Sequence, residues 1–125
     1  MILLISFPVR VAVIGDRTGS PDDVEFEIAV NAIIEMSPDI VLSVGDFVEG
    51  NGDVDTAVED WENVLPVLER LTDAFPFVYT PGNNDIWHDA TAEYWRKYTG
   101  TEPSRIEEFL GITFVVWDSS IGNLL

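Results

Sequence analysis

Apolar residues follow two rhythms along this chain. Residues 9–15 (VRVAVIG), 39–44 (DIVLSV) and 75–80 (FPFVYT) are nearly unbroken runs of Val, Ile and Phe. Such runs predict short strands covered on both faces. Between them the spacing turns helical. Ser20-Pro21-Asp22-Asp23 reads as an N-cap, a first-turn proline and acidic first-turn residues. The helix it opens is predicted to reach Met36, with Val24, Ile28, Ala32 and Met36 as its apolar face, and to end at Ser37-Pro38. A second pattern places Val58, Trp61, Leu65, Leu68 and Leu71 on one face, starting near Asp55 or Thr56. Pro66 falls inside it and is expected to kink or split the helix. A third helix is predicted over 90–98, and 105–110, Gly111 and 112–117 read as an antiparallel hairpin.

Strand–helix–strand–helix–strand implies right-handed crossovers and a parallel sheet. The predicted fold is α/β: one half of a layered α/β sandwich, with a parallel β-α-β-α-β core and a C-terminal β-hairpin. The 125 residues make one domain and leave little room for a second.

Charge narrows the partners. Six Lys+Arg against 23 Asp+Glu give 6 − 23 = −17, and Lys97 is the only lysine. A surface this acidic repels phosphate backbones, which excludes general nucleic-acid or anionic-membrane binding and leaves divalent cations compatible. With no cysteine, disulfides and thiolate metal sites are excluded. The opening MILLISFPVRVAVIG lacks a basic leader and is too short to span a bilayer, so it reads as an extended lead into the first strand of a cytoplasmic protein.

Candidate chemistry gathers where the strands stop. Each ends in a glycine-bearing polar loop: GDRTGS (15–20), GDFVEGNG (45–52) and PGNND (81–85). Open α/β sheets bind ligands outside the carboxyl ends of their strands. Neighbouring strands lie roughly 4.8 Å apart, so adjacency would bring Asp16, Asp46 and Asn83 together as hard oxygen donors. Glycine lets these loops turn sharply and leaves room for a phosphate-sized ligand.

The series GDRT, GDFVEGN and PGNND, in that order and context, resembles the calcineurin-like metallophosphoesterase superfamily. The resemblance spans about residues 9 to 118, including Phe114-Val115-Val116-Trp117-Asp118 as a strand that follows the motifs. It implies metal-dependent hydrolysis of a small phosphoester, with two divalent ions (Mn, Fe or Zn) clamping the phosphate. By position, Asp16 would bind the first metal, Asp46 would bridge both, and Asn83 would bind the second. Thr18 stands where the family has a metal-binding histidine, and Asn84 stands where it has the histidine that protonates the leaving group. Asp85 would orient that neighbour; its other readings are turn cap or helix N-cap. The family's later histidine loops have no counterpart in these residues. The domain is therefore expected to be incomplete at its C-terminus, the site weak or inactive, and an uncovered sheet face to invite self-association.

Several residues carry more than one reading. Arg17 suits bidentate contacts to a phosphate or neutralisation of nearby aspartates. Glu49 reads as a solvated loop acid. His88, the only histidine, is either incidental or a group reaching the site from the third loop. Trp61, Trp87, Trp95 and Trp117 read as packing residues. Asn51-Gly52-Asp53-Val54-Asp55 with Glu62 faintly echoes a calcium loop, but Thr56 replaces its required glycine. Two other function classes compete: a non-catalytic fragment or decayed paralogue of the same fold, and a phosphoacceptor receiver domain. The receiver needs a lysine at a late strand end, whereas Lys97 sits in a helical pattern.

Overall fold

A computed structural model of the chain describes residues 8–19, 23–50 and 53–119. The expected N-cap Ser20-Pro21-Asp22, the lead over 1–7, and Asn51-Gly52 of the calcium-loop echo lie outside them. The strands are β1 (Val11–Ile14), β2 (Ile40–Ser43), β3 (Phe77–Val78), β4 (Arg105–Phe109) and β5 (Ile112–Val116). The helices are α1 (Asp23–Met36), α2 (Val54–Thr72) and α3 (Asp89–Thr99). β1, β2 and β3 form a parallel sheet in that order, with Val11 opposite Ile40 and Val41 opposite Phe77. β4 and β5 pair antiparallel about Leu110-Gly111, whose φ angles of 55° and 74° are those of a type I′ turn.

One face of the sheet meets the helices. Ile14, Val41, Phe77 and Tyr79 pack there with Phe26, Val30 and Ile33 of α1, and with Trp61, Val64, Leu68 and Leu71 of α2. Trp61 and Trp95 are fully buried and meet edge-to-face, 5.9 Å between centroids. Such ring pairs contribute beyond their buried area.

Among the described residues the other face is only partly covered. The hairpin sets Val116, Phe109 and Phe114 against Ile40, Val78 and Leu42. Val11 and Val13 of β1 stay 47% and 60% exposed, and Val44 just past β2 stays 57% exposed. This corrects the expectation of strands covered on both faces: two hairpin strands do not reach across three sheet strands. Trp117, expected to pack, is likewise exposed.

The helices hold two further corrections. α1 buries Phe26, Val30 and Ile33, whereas Val24, Ile28, Ala32 and Met36 face outward. Both stripes are apolar, so periodicity alone does not choose between them, and the one bearing the aromatic ring took the core. α2 is a single helix through Pro66, capped by Asp53, whose carboxylate accepts the Asp55 N–H. Pro66 is exposed, so water can satisfy the carbonyl that proline leaves without a helical donor. Asp55 and Glu62 lie on this same helix, which excludes a calcium loop there. α1 ends as expected at Met36, where Ser37 turns at φ 48°. The Arg10 guanidinium caps it by donating to the carbonyls of Met36 (3.1 Å) and Ser37 (2.6 Å), which suits the negative end of a helix.

Candidate metal centre

The sheet order makes the three loops neighbours. The ladder runs on past β1 and β2: the Asp16 N–H donates to the Gly45 carbonyl and the Arg17 N–H to the Asp46 carbonyl, both at 2.9 Å. Asp16 and Asp46 sit at φ 57° and 58°. That is the left-handed region, which costs non-glycine residues free energy but which aspartate, like asparagine, tolerates better than most. Two successive strand ends thus repeat one strained turn, with a carboxylate at each.

The second and third loops interlock through two glycines. A Cβ on Gly45 would fall 2.2 Å from the Gly82 nitrogen, and one on Gly82 would fall 2.1 Å from Asp46 Oδ1. No side chain fits at either place. The motif glycines are therefore required by close approach of the loops, and Gly82 leaves room for the Asp46 carboxylate itself.

Asp85 clamps this junction. Fully buried, it accepts the backbone N–H groups of Asp46 (2.7 Å), Phe47 (2.8 Å), Val48 (3.3 Å) and Gly82 (2.8 Å). Burial pushes its carboxyl up to about 6, against the four N–H donors that hold it down. The turn-cap reading is realised in the bond from Gly82, but Asp85 is not a helix N-cap. His88 caps α3 instead, its Nδ1 accepting the Ala90 N–H at 3.1 Å. His88 is exposed and its hydrogen bonds go to the first turn of α3. None reaches the three loops.

The remaining predicted residues fall in two groups. Asp16, Thr18, Asp46 and Asn84 form one connected set. The Thr18 hydroxyl donates to Asp16 Oδ1 (2.9 Å), Asn84 Nδ2 donates to Thr18 Oγ1 (3.3 Å), and the Asn84 N–H donates to Asp46 Oδ1 (2.8 Å). Asn83 is exposed beside them on the third loop. Arg17 belongs elsewhere. Its buried guanidinium donates to Asp23 Oδ1 (2.9 and 2.5 Å) and the Phe47 carbonyl (3.1 Å), beside a groove lined by Phe26, Asn63 and Val67. Its charge is satisfied by Asp23 of α1, and it pairs with neither Asp16 nor Asp46.

Glu49 was expected to be a solvated acid. Its carboxylate accepts the Gly19 N–H (3.1 and 3.2 Å), while its own N–H donates to Asp60 Oδ2 (2.9 Å). It ties the first loop to the second and the second to α2. Nothing local in the sequence marks this bridge, because its partners lie 30 and 11 positions away.

Parallel strands that deliver carboxylates and amides to one rim define an α/β protein with a candidate hard-donor site. A family model for calcineurin-like phosphoesterases matches residues 9–123, and the chain belongs to that family. No curated protein matches it. Family members typically bind two divalent metals. Among the described residues there is no group of three or more His, Cys, Asp or Glu able to hold a metal ion. The side-chain donors Asp16, Thr18, Asp46 and Asn83 of these loops offer oxygen, and Arg17 pairs with Asp23 rather than with either carboxylate. That set fits a hard divalent cation and is too small for two complete shells. Lys97 lies over the Tyr98 ring, 4.5 Å from its centroid, so it offers no support for a receiver domain. Among the described residues, no helix is long and apolar enough to cross a membrane.

Proposed function

We propose that the chain is a metal-dependent phosphoester hydrolase of low activity, whose donors Asp16, Asp46 and Asn83, with Thr18 beside them, hold a hard-to-borderline divalent cation such as manganese. The observation that supports it is the adjacency of the loops that carry Asp16 and Asp46, each in a left-handed turn past the end of a parallel strand and joined by backbone hydrogen bonds. When bound, the cation supplies Lewis-acid polarisation of the phosphoryl group and offsets its charge. The chain's own residues do the rest. Asp85 fixes the backbone that carries Asp46, Gly82 leaves room for its carboxylate, and the acidic surface disfavours polyanions over a small phosphoester.

Proton supply is the weak point. Asn84 cannot titrate, and His88 spends Nδ1 on α3. A positioned general acid contributes about 10²–10⁴-fold, so substrates whose leaving group departs unprotonated lose least. These features also favour a second reading, in which the chain keeps the fold and a weak cation site without catalysis.

Calorimetric titration of manganese into the wild type and Asp46→Asn, alongside hydrolysis of an activated aryl phosphate, tests both. Weak binding lost in Asp46→Asn, with turnover slightly above background, is expected. Equal affinity in the two proteins removes Asp46 from the site and sinks the proposal. Binding without any turnover decides for the non-catalytic reading. Brisk hydrolysis of an unactivated alkyl phosphate refutes the account of the missing proton.

A further inference from the structure

We propose that Asn84 is a positioning residue that holds both carboxylates of the site at once, Asp46 through its backbone and Asp16 through a relay that passes by the Thr18 hydroxyl. The inference rests on the cation site proposed above and adds to it a device specific to this pair of side chains.

The direction of the relay follows from proton count. A threonine hydroxyl has one hydrogen to give. At 2.9 Å, Thr18 Oγ1 gives it to Asp16 Oδ1, a carboxylate oxygen that can only accept. Its lone pairs then receive Asn84 Nδ2 at 3.3 Å. The same residue's backbone N–H reaches Asp46 Oδ1 at 2.8 Å. Asn84 and Thr18 are 66 positions apart, so the relay spans the first and third loops across the second. Hydrogen bonds in such a chain polarise one another. Every donor in it is neutral, so it orients two like-charged carboxylates without cancelling the charge a cation needs. Both side chains are half-buried, and replacing either leaves the core intact.

A relay has a signature that two independent contacts lack. Once the Thr18 hydroxyl is gone, the Asn84 side chain has nothing left to pass on. Partners that orient a metal ligand typically contribute about tenfold or more to affinity. Thr18→Val and Asn84→Ala should each weaken manganese binding by about tenfold, and the double variant should be no weaker than the worse single one. Thr18→Ser, which keeps the hydroxyl, should restore affinity, and thermal midpoints should stay together.

A readout without metal separates the relay from the cation site. In the metal-free protein, Thr18→Val should shift the Asn84 side-chain amide signals in a nitrogen–proton correlation spectrum, and Thr18→Ser should leave them near their wild-type positions. Amide signals unmoved by Thr18→Val overturn the relay, as does a multiplicative loss of about a hundredfold in the double variant. If the wild type binds no manganese while the amide signals shift as described, the relay stands and the cation reading falls.

Discussion

Removing the Asp85 carboxylate should cost this protein much of its stability, although the residue lies on a loop. In Asp85→Ala, four backbone N–H groups lose their acceptor: those of Asp46, Phe47, Val48 and Gly82. Phe47 and Val48 are 0% exposed, so water cannot replace the carboxylate at their N–H groups without opening the loop. A buried donor left unmet costs about 1–3 kcal/mol. Two fully buried donors then cost about 2–6 kcal/mol, with the outer two adding less because solvent reaches them. Domains of this size have only about 5–15 kcal/mol in total. Asp85→Asn keeps one oxygen but turns an NH2 toward two of the donors, so it should lose about half as much. Urea unfolding at neutral pH, followed by the fluorescence of the buried Trp61 and Trp95, measures both. With a slope of about 2 kcal/mol per molar, Asp85→Ala should lower the midpoint by about 2 M. A loss below about 1 kcal/mol with unchanged slope would refute the claim that this carboxylate holds the second and third loops together.

The phenol of Tyr79 is pushed up to about 12, first by burial and then by Glu69. The folded state therefore keeps a proton that the unfolded chain releases near 10. The associated stability is whole below pH 10 and is lost as pH rises through 12, by about 2–3 kcal/mol. Absorbance titration should show one of the three tyrosines ionising late, and Tyr79→Phe should remove that part of the alkaline destabilisation. The partly covered sheet face should drive self-association despite the charge of −17. Light scattering should find concentration-dependent dimers, which a charge placed by Val13→Lys together with Val115→Glu should weaken. A monomer at high concentration would contradict this.

Much of the fold was legible in the one-dimensional pattern. The apolar runs over 9–15, 39–44 and 75–80 all hold parallel strands, and Leu110-Gly111 turns the hairpin where expected. The order Gly-Asp, Gly-Asp, Pro-Gly-Asn-Asn-Asp also marked three loops that the fold makes neighbours, because each motif follows a strand and strand ends of one parallel sheet share a rim. These signals are local: a run of β-branched residues, a glycine before an aspartate. They survive in sequence because their causes lie within a few bonds.

What the sequence alone left open involved a choice between equivalent local options, or a contact between distant residues. Two apolar stripes on α1 satisfied the same helical spacing, and packing against the sheet and α2 selected Phe26, Val30 and Ile33. Arg17 had aspartates on either side in the chain, and the position of α1 gave its guanidinium to Asp23. Asp85 read as an orienting group or a cap, and only the closed loops show its four backbone N–H partners at hydrogen-bonding distance. Asn84 and Thr18 looked like two separate departures from a pattern of histidines, yet the fold places them in contact. Propensity and patterning act through neighbours along the chain, so the sequence carries them. Partner choice at long separation depends on which surfaces the packed core leaves facing each other, and only the tertiary structure decides that.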